Sequence, residues 1–108
     1  MLFRSVRCVE VLLHSNVDSD RWRAMQTLSK MGDWQLTPGV GAGLRSVALT
    51  DYNTQLRLTA VQMLGSLPGE PKLVAETLRM SAEYDSDPTI RAMASQLLAR
   101  LSGAGQRP

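Results

Sequence analysis

Apolar residues recur at intervals of three and four along almost the whole chain, and strict apolar–polar alternation is absent. β-branched and aromatic runs bounded by turns are absent as well. The pattern predicts six helices and no strands. The first spans about Leu2 to His14, with Val6, Val9, Leu12 and Leu13 on one side. The second begins after Asp20 and ends at Gly32, a candidate C′ glycine. The third starts at Thr37-Pro38, a cap residue followed by proline, and runs to about Thr50. The fourth runs from Asn53 or Thr54 to Ser66 and is stopped by Pro68-Gly69. The fifth runs from Pro71 to about Glu83. The sixth takes Asp87 as N-cap and Pro88 at its first position, and runs to about Ser102. The links are short, so neighbours in sequence are expected to pack as antiparallel pairs. Residues 1–103 read as one helical domain and 104–108 as a flexible tail.

Length and composition narrow the class. A chain of 108 residues is the size of one domain. It is 44% hydrophobic and 20% charged with formal net charge +2, too apolar for a disordered chain. There is no run of eighteen apolar residues, and Arg4, Arg7 and Glu10 interrupt the first thirteen, which excludes a signal-peptide core. The expected location is the cytoplasm. One cysteine, Cys8, and one histidine, His14, allow neither an internal disulfide nor a structural zinc site.

The helices repeat. The fourth reads Leu56-Arg57, Ala60, Leu64-Gly65 and Leu67; the sixth reads Ile90-Arg91, Ala94, Leu98-Ala99 and Leu101. The second follows with Arg21, Ala24, Leu28 and Met31, although Asp20 stands where the others have an aliphatic residue. The arginines lie 36 and 34 residues apart, a period typical of stacked helical repeats. The small residue lets a neighbouring helix approach, and the leucines continue the same stripe. Acidic or amide residues precede each arginine: Asp18 and Asp20, Asp51 and Asn53, Asp85 and Asp87. They can cap the helices and pair with an arginine of the same or the adjacent repeat.

Asp87-Pro88-Thr89-Ile90-Arg91 with Ala94, Leu98 and Leu101 resembles the first helix of a HEAT repeat, and the fourth helix is similar to it again. The resemblance covers about residues 5–102, as one leading second-type helix, two full pairs and a closing first-type helix. It implies an all-α, right-handed superhelix of about six antiparallel helices, used mainly to bind other proteins. Some members bind nucleic acid, and some HEAT-like relatives handle tetrapyrrole pigments. The tetratricopeptide repeat has a similar period, but its Trp, Leu-Gly and Tyr positions are not filled here at a common spacing.

Candidate chemistry is sparse. Gly39-Val40-Gly41-Ala42-Gly43 lacks the preceding strand and the Lys-Ser/Thr pair of a phosphate loop, so close helix packing is the expected reason for its glycines. Cys8 and His14 are six residues apart, on different sides of one helix, and do not form a nucleophile and base. Glu83, Asp85 and Asp87 sit where helix caps sit. No catalytic residue, cofactor or metal is expected. Trp22, Trp34, Tyr52 and Tyr84 fall near helix ends, where they serve local packing or anchor a partner. Arg21, Arg57 and Arg91 form a row that either braces the repeats or lines a binding groove.

The expected function is a non-enzymatic scaffold or adaptor that binds another protein or a second copy of itself. The partner-facing candidates are Trp22, Trp34, Tyr52, Tyr84, Arg21, Arg57 and Arg91. The alternatives are a nucleic-acid module using Arg4, Arg7, Arg21, Arg23, Arg45 and Arg57, and an accessory subunit of an enzyme such as a pigment lyase. The first helix is apolar on more than one face, so one side of it is expected to be covered by another chain or by a second copy.

Overall fold

The computed structural model describes residues 2–103, with side chains over 4–101. Among these, the fold is all-helical: α1 (Leu2–His14), α2 (Asp18–Ser29), α3 (Val40–Thr50), α4 (Thr54–Leu64), α5 (Pro71–Tyr84) and α6 (Pro88–Gly103), with a short 3-10 turn over Trp34–Leu36. No described helix is long and apolar enough to cross a membrane. The expected tail, 104–108, lies outside the described residues.

The closest packing is within the hairpins α1/α2, α3/α4 and α5/α6. The hairpins lie side by side, so that α1, α3 and α5 form one row and α2, α4 and α6 the other. The tight pairs are therefore the ones joined at the short Ser15, Asp51 and Asp85 links. The HEAT-style pairing would instead join α2 with α3 and α4 with α5. The core runs between the rows: Val9 and Leu12 of α1, Met25 and Leu28 of α2, Val40, Leu44 and Val47 of α3, Leu56, Val61 and Leu64 of α4, Val74 and Leu78 of α5, and Ile90 and Ala94 of α6 are all buried. Within α1 the other apolar side chains divide: Val6 and Val11 are half-buried and Leu13 is exposed.

Local chemistry explains most helix boundaries. The Asn53 side chain accepts the Leu56 N–H at 3.1 Å and caps α4. Asp87 accepts the Thr89 N–H at 2.7 Å, and Pro88 opens α6. Three boundaries, in α2 and α3, differ from expectation. α2 begins at Asp18 behind Val17, which offers no capping side chain; Asp18 and Asp20 then occupy the positive first turn. It stops at Ser29, and Gly32 lacks the positive φ of a C′ cap. α3 begins at Val40, not at Pro38, because the 3-10 turn consumes the preceding residues and Gly39 enters the helix at φ 80°. That left-handed conformation is the reason for glycine at this position.

Gly43 and Gly65 differ in the room around them. A Cβ on Gly43 would meet α1 at Val9 Cγ1, 3.4 Å away, an ordinary contact. At Gly65, beyond the end of α4, a Cβ would lie 2.9 Å from Leu97 Cδ2 of α6 and 3.3 Å from the Gln62 carbonyl. The two positions should respond oppositely to alanine. Gly65→Ala is expected to cost about 1–3 kcal/mol through overpacking, whereas Gly43→Ala should gain up to about 1 kcal/mol from helix propensity. Urea unfolding of the two variants checks this; equal stability would mean that α6 does not press on Gly65.

Candidate functional site

The three hairpins share one hydrogen-bond register at their tight links. Arg21 donates from Nε to Asp51 Oδ2 at 2.6 Å and from Nη2 to Asp51 Oδ1 at 3.0 Å. Arg57 makes the same fork on Asp85, at 3.0 and 3.1 Å. The third nitrogen of each guanidinium reaches back six residues. Arg21 Nη1 donates to the Ser15 carbonyl at 2.9 Å, Arg57 to that of Asp51 at 2.9 Å, and Arg91 to that of Asp85 at 2.7 Å. Each aspartate also accepts the N–H two residues ahead, from Asn53 and Asp87, both at 2.9 Å. Ser15 Oγ does the same for Val17 at 3.1 Å.

These residues form a continuous ladder. Each aspartate shapes its own hairpin link and receives the arginine of the hairpin before it. Planar guanidinium forks on carboxylates are among the strongest charge-assisted bonds available to side chains. Arg21 and Asp51 are 7% and 8% exposed, so their charges depend on each other. Asp18 joins the side of the first rung, accepting from Arg21 at 2.9 Å and from the Asn53 amide at 3.2 Å. The hydrogen bonds from Asn53 and Tyr52, with Arg21 beside them, hold the Asp18 carboxyl below its ordinary range. Hydrogen bonding to Asp18 conversely raises the Tyr52 phenol, and Asp51 raises the Arg21 guanidinium.

The ladder has two different ends. Ser15 begins it without a carboxylate and so offers no acceptor for a guanidinium fork. Arg91 ends it with no carboxylate on its fork among the described residues. The question left open by the sequence, whether the arginine row braces the hairpins or lines a groove, is answered for Arg21 and Arg57. Their donors are spent within their own hairpin and on the next one.

The aromatic candidates separate in the same way. Trp34 is 9% exposed and belongs to the core, and Trp22 packs half-buried against it. Tyr52 and Tyr84 are exposed at 78% and 77%, each adjacent in sequence to a ladder aspartate. Cys8 is buried, and burial raises its thiol above the ordinary value against the opposing pull of Arg4. This disfavours the thiolate a nucleophile needs. Among the described residues, no three His, Cys, Asp or Glu side chains stand close enough to hold a metal.

Two surface features were not singled out from the sequence. One is an apolar hollow of about 700 Å³ at the turn between α4 and α5, walled by Leu67, Pro68, Pro71, Val74, Leu98 and Leu101. Only Gln35 and Ser66 bring polar side chains to it. The period-based stripe placed Leu98 and Leu101 in the core, but Leu98 is half-buried and Leu101 is 51% exposed, because none of the described helices covers the end of α6. The other feature is a shallow groove between α1 and α2, lined by Arg4, Arg7, Arg23 and Lys30.

Compared with known proteins, the chain matches no family model, no curated protein and no solved structure.

Removing one partner of the buried rung leaves an unpaired charge. Arg21→Ala or Asp51→Ala is therefore expected to cost about 3–5 kcal/mol, and Arg91→Ala about 1 kcal/mol or less, with a single carbonyl bond at stake. Denaturant unfolding of the three variants reads this order; an Arg91→Ala loss as large as the Asp51→Ala loss would contradict it.

Asp18 adds an acid dependence. Its folded-state pKa is lowered, so its contribution is complete above the ordinary carboxylate value and disappears as pH falls through the folded value. Thermal melts below about pH 4 should drop more steeply in the wild type than in Asp18→Asn. Parallel slopes would show that Asp18 carries no such linkage.

Proposed function

We propose that the chain is a short HEAT-like helical stack whose function is to bind another protein, with no chemistry of its own. The shared register of three hairpins supports the repeat reading. The observation that carries the binding reading is the hollow beside α6. Its walls are aliphatic side chains and prolines, and no titratable side chain lines it. Such a surface suits the apolar side chains of a partner segment, and the half-exposed Leu101 stands at its edge.

The nucleic-acid alternative draws less support. Of its six arginines, Arg21 and Arg57 are committed to the ladder. Arg45 of α3 reaches across to α5, donating to Thr77 Oγ1 at 3.0 Å and pairing with Glu76 at 3.4 Å. Only Arg4, Arg7 and Arg23 share a surface. No observation favours the pigment-lyase-like role.

Leu101→Glu tests the reading, since a half-exposed residue can be charged without unfolding the helix. In native mass spectrometry of material captured on the immobilised chain, wild type should retain a stoichiometric protein partner. The variant should lose it by at least about tenfold, equivalent to removing one anchoring contact. Equal retention by both would refute the hollow as the site. Turnover of a small molecule with no protein retained would refute the function.

A further inference from the structure

The shared register also allows the three hairpins to be compared face by face, and the comparison isolates the outer side of α1/α2. Measured from Ser15, Asp51 and Asp85, Arg4 corresponds to Val40 and Val74, and Arg7 to Gly43 and Thr77. On the second helix Asp20 corresponds to Leu56 and Ile90, Arg23 to Thr59 and Met93, and Thr27 to Met63 and Leu97. In the two later hairpins most of these positions are buried, facing the hairpin before. In the first hairpin they face outward, and the chain has placed charge there.

A face closed only for solubility is served by mixed signs. This one is not mixed. Arg4, Arg7, Arg23 and Lys30 stand against Asp20 alone, a formal +3 on one groove in a chain whose net charge is +2. None of the four cations has a hydrogen bond or ion pair with a described residue. The floor between them is apolar toward α1 and the start of α2, at Cys8, Val11 and Ala24, and becomes polar at Thr27 and Gln26 beside Met31.

We propose that the groove between α1 and α2 is a docking site for an acidic amphipathic helix of a partner protein. The partner would set apolar residues at three- and four-residue spacing on the floor and carboxylates on the flanking arginines. This names a partner class for the protein-binding reading above and rests on it. The apolar floor favours a peptide over a nucleic acid, whose backbone needs charge without an apolar seat and whose bases need exposed aromatic platforms. A second copy stacked by its opposite end is the weaker fit, because the exposed Glu76 and Glu83 of α5 are offset there by Arg79 and the open fork of Arg91.

The test uses the full chain and a fluorescein-labelled synthetic helix with leucines at helical spacing and glutamates elsewhere. The same helix with lysines for glutamates and a single-stranded oligonucleotide of equal negative charge serve as comparisons. The glutamate helix should bind at least about tenfold more tightly than either, and weaken as salt rises. The double variant Arg4→Glu/Arg23→Glu should abolish that preference while its circular dichroism stays unchanged, since both side chains are exposed. Leu101→Glu should leave this binding intact, which separates the groove from the hollow. Equal affinity for the two helices, or no effect of charge reversal, would overturn the proposal. Tighter binding of the oligonucleotide would replace the acidic helix with nucleic acid.

Discussion

The structure depends on one interaction, the fork of an arginine on the aspartate of the next hairpin. Helix hairpins bury too little apolar surface to stand alone, so each must be held against its neighbour at a defined height. Apolar packing supplies most of the attraction but is not directional. The Arg21–Asp51 and Arg57–Asp85 forks supply direction. Because each aspartate also shapes its own link through the Asn53 or Asp87 N–H, a rung fixes the turn and the stacking at once. Small residues work with this arrangement. Gly65 lets the chain at the end of α4 meet Leu97 of α6 at a distance that a Cβ would not allow.

The same repetition makes its exceptions informative. Ser15 keeps the turn-forming hydrogen bond of its aspartate counterparts and omits the carboxylate. Asp20, which breaks the aliphatic pattern before the repeated arginine, faces outward in place of Leu56 and Ile90. Arg4, Arg7 and Arg23 depart from the pattern in the same direction. The chain's small net charge thus conceals a concentrated one, because the remaining charges largely compensate each other on the ladder and along α3 and α5.

Much of the fold was legible in the sequence. Helix number, most boundaries, and the repeat of Arg21, Arg57 and Arg91 follow from periodicity and capping residues, and the acids ahead of each arginine already suggested pairing with an adjacent repeat. The errors lie where tertiary contacts override local signals. Thr37-Pro38 has the local form of a helix start, but burial of Trp34 draws the preceding residues into a 3-10 turn and delays α3 to Val40. Leu98 and Leu101 have the period of core residues, but being in phase with the stripe buries a side chain only where another helix covers it. The hollow gave no local signal, because its walls combine the α4–α5 turn with the far end of α6; the arginines of the basic groove were legible, but not that Arg21 leaves their surface for the ladder while Lys30 joins it.

The sequence by itself determined that this protein is built of amphipathic helices in a repeating register, since spacing along the chain dictates which side chains share a helix face. Only the tertiary structure decided which arginines brace the stack and which stand free. A guanidinium reads the same in sequence whether or not a carboxylate some thirty residues away is brought to its fork. That juxtaposition is set by hairpins packing on one another, and it turns Arg21 and Arg57 into structure while leaving Arg4, Arg7 and Arg23 at the surface.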